Sequence, residues 1–134
     1  MMAMFYAEGE KIMKYCSEIT KWGAEAFYFL TEKELNFIVL FDEGAPAELM
    51  EISILHKKAK LLSAIAVDDT LLICDKAFNI TAIGDEVLHT FKEMGHCTIC
   101  FKGGSIPERP GCIMVEGKAL QPDEIHAGGL IEIY

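Results

Sequence analysis

The residues most able to do chemistry lie in one short stretch. Ile52-Ser53-Ile54-Leu55-His56 reads as a strand, and Lys57, Lys58 and Lys60 follow it directly. Elsewhere the chain is acidic, with 21 Asp and Glu against 12 Lys and Arg and a formal charge of -9. A neutral imidazole is a nucleophile near neutral pH, and clustered ammonium groups attract anions. The pattern suits a landing place for a phosphoryl group, with His56 as acceptor and Lys57 or Lys58 offsetting charge on the phosphate oxygens. Strand parity puts His56 on the face of Ile52 and Ile54. It predicts an edge histidine held by an apolar wall, with one ring nitrogen open to solvent. The bland reading is an ordinary edge histidine beside solvated lysines.

Other candidate chemistry is weaker. His96-Cys97-Thr98-Ile99-Cys100 contains a Cys-x-x-Cys spacing, which elsewhere marks zinc sites or thiol redox centres. Here the pair falls inside a predicted strand. Alternation sends Cys97 and Cys100 to opposite faces, roughly 10 Å apart along the strand, so one metal cannot bind both. Core packing is the preferred reading, with no metal and no cofactor expected, and a zinc protein built on these cysteines is a minor rival. Gly103-Gly104-Ser105 lacks the full phosphate-loop pattern and reads as a turn. His89 falls on the polar side of a short helix, and His126 precedes the turn Ala127-Gly128-Gly129. Asp68-Asp69 and Asp123-Glu124 are turn residues.

The elements that must position these groups are short. Met13 to Trp22 alternates like a strand, and Gly23 to Leu30 allows one or two helical turns. Phe37 to Phe41 is a continuous apolar run, expected as a strand buried on both faces. Pro46 opens a helical turn through Met50. Leu71 to Cys74 and Phe78 to Ile83 form a hairpin about Asp75-Lys76. Asp85 is a candidate N-cap for a helix whose buried face is Val87, Leu88, Phe91 and Met94, and Gly95 closes it. His96 to Phe101, Cys112 to Val115 and Leu130 to Tyr134 are further strands. These elements predict a mainly β single domain: a β barrel or sandwich of short strands with one or two short helices. Residues 1–12 read as an N-terminal extension, expected to be loosely ordered in contrast to the β domain over 13–134.

Composition narrows the function classes. A hydrophobic fraction of 51% argues against disorder. No apolar run reaches the roughly 20 residues a membrane helix needs. Met1 to Tyr6 has no basic segment before it, so it does not read as a signal peptide. The five cysteines show no disulfide framework, which fits reduced thiols and a cytoplasmic location. The acidic balance argues against nucleic acid as a partner.

At this point the residues resemble a known family. Phe41-Asp42-Glu43-Gly44-Ala45-Pro46-Ala47-Glu48-Leu49, followed by a short strand ending in histidine, resembles the glucitol/sorbitol-specific enzyme IIA component of the bacterial phosphoenolpyruvate-dependent phosphotransferase system. Ile80-Thr81-Ala82-Ile83-Gly84, Met94-Gly95-His96, Pro110-Gly111 and Pro122-Asp123-Glu124-Ile125 match further segments in order. The resemblance runs from about Met13 to the end. It implies a small β-rich cytoplasmic phosphocarrier that takes a phosphoryl group from HPr and passes it to enzyme IIB of the cognate IIB/IIC permease. Contact with the membrane would come only through that permease. By position in the motif the phosphorylated residue is His56. His96 also matches a family position and is a candidate supporting group, together with Lys57 and Lys58. Lys57-Lys58 is more basic than the family pattern. Docking is expected on a rim formed by Ile54, Leu55 and the Gly44 to Pro46 turn. The rival from another class is a non-enzymatic β-barrel module that binds an anionic ligand.

Overall fold

The structure, a computed structural model, describes residues 12–134. The expected N-terminal extension therefore lies, apart from Ile12, outside the described residues. Eight strands close into one barrel: β1 (Tyr15–Trp22), β2 (Phe37–Asp42), β3 (Ser53–His56), β4 (Thr70–Ile73), β5 (Lys76–Ile83), β6 (Cys97–Cys100), β7 (Cys112–Glu116) and β8 (Leu130–Ile133). Their order around the wall is β1-β3-β2-β6-β7-β5-β4-β8. The β2–β3 and β6–β7 pairs are parallel and the other six antiparallel.

Strand parity sorts the side chains. Tyr15, Ser17 and Ile19 of β1 alternate with more open residues and point inward. β2 and β3 are buried almost throughout, because both of their faces are covered. Ile38, Leu40 and Ile54 fill the interior. Outside, Phe41 and Leu55 pack with Ala45, Leu49 and Met50. A parallel pair needs a crossover, and here that crossover supplies the outer cover. It contains α2 (Ala47–Met50), which Pro46 caps in extended geometry. A second single turn, α1 (Tyr28–Thr31), lies before β2, and Phe29 stacks on Phe37 at 4.8 Å.

The helix that matters for the site is α3 (Val87–Met94). Val87 and Phe91 enter the main core, and Phe91 meets the Tyr15 ring at 4.5 Å. α3 thus plugs one end of the barrel. The described residues form three short helices where one or two were expected, plus a 3-10 turn over Pro122–Glu124. Other details differ. Leu88 and Met94 were assigned to the buried face but stand 40% and 37% exposed. The N-cap is Glu86 rather than Asp85, with no side-chain capping bond. The hairpin turn is Cys74-Asp75, one residue earlier than expected, and both residues adopt positive φ.

Candidate functional site

His56 ends β3 at the α3 end of the barrel. It shares the parity of Ile54, so its ring points inward. β2 and β6 extend the same row, with Asp42 opposite His56. The ring is fully buried, at 0% exposure. This corrects the expected edge histidine with a nitrogen in solvent. The strand's polar exit suggested an open end, but α3 and its last turn cover it.

Four groups surround the two ring nitrogens. Nδ1 lies 3.0 Å from Ser17 Oγ, 3.0 Å from the Lys57 carbonyl and 3.4 Å from Tyr15 Oη. The Ser17 hydroxyl itself donates to the Lys57 carbonyl at 2.6 Å. The Lys57 N–H donates to Glu18 O at 2.9 Å, which ties the residue after His56 to β1. Burial pushes the Tyr15 phenol well above its ordinary value. It therefore stays a neutral O–H, set edge-on to the His56 ring. Among the described residues, no buried side-chain nitrogen or oxygen lacks a partner.

Among the described residues, Nε2 has one hydrogen-bond partner, the Gly95 carbonyl, at 2.8 Å. Gly95 ends α3 in the left-handed region, φ 59°. Its N–H bonds to Phe91 O at 2.9 Å, and the Thr90 hydroxyl donates to the His96 carbonyl at 2.8 Å. These bonds fix the turn with the Gly95 carbonyl aimed at the ring. A Cβ on Gly95 would stand 2.6 Å from His56 Cε1 and 3.1 Å from Asp42 Cβ. Only glycine allows both the left-handed backbone and this approach.

His96 follows Gly95 but lies on the outer face of the wall. Its ring stacks on Phe41 at 4.3 Å. Nδ1 donates to the Leu40 carbonyl at 3.0 Å. His96, Lys58, Asp42, Phe41, Pro46 and Met94 line a surface hollow of about 350 Å³. Lys58 Nζ lies 3.4 Å from Asp42 Oδ1, which also accepts the Gly44 N–H at 2.8 Å. Lys57 points elsewhere and pairs with Glu18 at 3.2 Å. The structure thus gathers His96 and Lys58 at a hollow outside the wall and seats His56 inside it. The Met94–His96 turn and Asp42 separate the two. Ile54 and Leu55 cannot form a docking rim, because both are buried.

Sequence reasoning missed Ser17, Tyr15 and the Gly95 carbonyl. Ser17 carried one usable signal: a hydroxyl on the inward side of an alternating strand, between Tyr15 and Ile19. The remaining candidates stay ordinary. His89 and His126 are exposed. Cys97 belongs to the interior cluster and Cys100 to an outer one. Burial pushes the Cys97 thiol far above its ordinary value. Among the described residues, no three His, Cys, Asp or Glu side chains come together as a metal site. None of these residues forms a helix long and apolar enough to cross a membrane.

Comparison with known proteins bears on the family and the fold. The family model described as PTS system glucitol/sorbitol-specific IIA component matches residues 14–132. The PTS system glucitol/sorbitol-specific EIIA components of Escherichia coli K12 and Shigella flexneri are each 31% identical over 118 residues. In each case the match covers 88% of this chain and 92% of the relative. The crystal structure of a PTS system IIA component from Enterococcus faecalis V583 superposes with a TM-score of 0.69 at 20% identity. That match covers 87% of this chain and 96% of the other, and it supports the barrel fold.

Proposed function

Since the chain belongs to the family of PTS glucitol/sorbitol-specific IIA components, we propose that it is a cytoplasmic phosphocarrier. In this reading it accepts a phosphoryl group from phospho-HPr on His56 and passes it to enzyme IIB of the cognate permease. The observation that carries the reading is the environment of His56. Its ring is clamped at Nδ1 by two elements, and one glycine turn covers Nε2.

Nε2 is the accepting nitrogen in this proposal. Nδ1 is enclosed by β1 and the chain leaving β3, whereas Nε2 is freed by moving a single carbonyl. Transfer forms the Nε2–P bond as the P–N bond of phospho-HPr breaks, and the HPr ring leaves with its electron pair. A loose phosphoryl transition state needs mainly alignment and charge stabilisation. Lys58, which lines the hollow beside the covering turn, would offset charge on the phosphate oxygens. Lys57 contributes only to the field around the site.

The complete burial of His56 favours one second reading. A barrel that no longer transfers phosphate would keep this ring as a core group and bind an anion at the Lys58 and His96 hollow. Incubation with phosphoenolpyruvate, enzyme I and HPr separates the two. The carrier gains acid-labile phosphate that maps to His56, whereas the binding module gains none. A label on His96 with none on His56 would overturn the assignment of the acceptor.

A further inference from the structure

We propose that Ser17 is the positioning residue that keeps the His56 ring proton on Nδ1 and so leaves the Nε2 lone pair for the phosphoryl group. The inference rests on the reading of His56 as acceptor and names what makes that ring a nucleophile.

A neutral imidazole has one N–H, and two backbone carbonyls face this ring. The Lys57 carbonyl lies 3.0 Å from Nδ1 and the Gly95 carbonyl 2.8 Å from Nε2. A carbonyl only accepts, so one proton cannot serve both. The Gly95 carbonyl belongs to the last turn of α3, the negative end of the helix dipole, and draws the proton toward Nε2. A ring protonated there has no lone pair to offer at that nitrogen. Ser17 biases the competition the other way. Its hydroxyl hydrogen is engaged by the Lys57 carbonyl at 2.6 Å, so the oxygen turns its lone pairs toward Nδ1 at 3.0 Å. Nδ1 therefore faces two acceptors and Nε2 one. The Tyr15 hydroxyl, at 3.4 Å, is a weaker third neighbour.

The same clamp serves the reaction. On attack the ring gives its Nε2 pair to phosphorus and becomes cationic. The Nδ1–H then donates to Lys57 O and Ser17 Oγ, which share that charge. No proton has to move when the Gly95 carbonyl turns aside. Ser17 is suited to this because β1 points it inward, between Tyr15 and Ile19, where it is almost fully buried. A hydroxyl in low dielectric without a partner would be unfavourable, and here both of its bonds go to the site.

The test compares Ser17→Ala, Ser17→Thr and the unaltered chain by two measurements. Nitrogen-15 NMR of the neutral His56 ring reads the tautomer, and rapid-quench phosphorylation by phospho-HPr reads the transfer rate. Ser17→Ala is expected to move the ring toward the Nε2–H form. It should slow phosphorylation about tenfold, the effect of one buried hydrogen bond. The half-saturating concentration of phospho-HPr should not change. Ser17→Thr, which keeps the hydroxyl, should restore both properties. Unchanged ring-nitrogen signals in Ser17→Ala would overturn the proposal. So would a folded Ser17→Thr chain as slow as Ser17→Ala. If the unaltered chain takes no phosphoryl group on His56, the functional reading fails, while the tautomer comparison still judges the role of Ser17.

Discussion

His56 has no surface in contact with solvent, so removing its ring does two things together. His56→Ala deletes the acceptor, and the chain should gain no acid-labile phosphate from phospho-HPr. It also opens a cavity and takes the ring away from the Gly95 carbonyl, while the Lys57 carbonyl keeps the Ser17 hydroxyl as donor. The expected loss of stability is about 2–3 kcal/mol, read as a lower urea midpoint. His56→Gln, which keeps a hydrogen-bonding group in the space, should lose the phosphate but recover part of that stability. The lysines behave differently because they lie at the surface. The Lys57–Glu18 pair is exposed on both sides, so Lys57→Ala should change stability by less than about 1 kcal/mol. Replacing Lys57 and Lys58 together should slow phosphorylation more at low salt than at high salt, because ions screen exposed charges. Equal slowing at both would mean that the lysines act by contact rather than by field. The histidine and lysines stood out in the sequence because a basic run is rare in an acidic chain. The ring's burial did not, since it depends on a helix that begins about thirty residues later. Ser17 was hidden for a related reason: a serine in a strand has no meaning until a partner strand brings a nitrogen to it.

The last turn of α3 is the element on which access to His56 depends. Gly95 was legible as a helix stop, because glycine readily takes the left-handed conformation that ends a helix. Its second task, presenting a carbonyl to the ring, was not legible, since it depends on where β3 ends. Gly95→Ala tests both tasks. The left-handed backbone alone costs a residue with a Cβ about 1–2 kcal/mol, and the new methyl would press on His56 Cε1. The melting temperature should fall, by about 4 °C or more for a domain of this size. Phosphorylation should fall as well, because the ring can relieve the contact only by leaving its clamp. A variant that melts lower but phosphorylates normally would show that the turn shapes the helix end alone. Leu88 and Met94 gain meaning in the same way. Their helical spacing suggested core, yet α3 is short and only Val87 and Phe91 reach the barrel. That leaves Met94 exposed at the end of α3, beside the turn that covers the acceptor, and Leu88 exposed in its first turn.

The barrel as a whole was partly visible in its pieces. Alternation in β1 and β5 and the continuous apolar run of β2 gave most strands and their inward faces. Closure into a barrel rather than a sandwich was not visible. It depends on two parallel pairs, β2–β3 and β6–β7, whose partners lie apart in sequence and whose register no local pattern encodes. The closed interior has a consequence for alkaline stability. Burial pushes the Cys97 thiol and the Tyr15 phenol upward, so the folded chain holds both protons where the unfolded chain releases them. Stability rises with pH only where the unfolded state binds more protons, and here it binds fewer, so stability must fall as pH rises. The contribution is fully retained below the ordinary thiol value of about 8.5. It declines above that value by up to about 1.4 kcal/mol per pH unit for the thiol, and more steeply past the ordinary phenol value of about 10. Urea unfolding at a series of pH values from neutral to alkaline measures the slope. Cys97→Val retains an apolar group of similar size and should lessen the first part of the decline, leaving the share of the Cys100 and Cys112 thiols, which burial also raises, and the phenol part. If the parent and Cys97→Val chains lose stability in parallel from the start of the alkaline range, the Cys97 thiol is not its source, and the loss belongs to the other thiols that burial raises, Cys100 and Cys112, or to Tyr15.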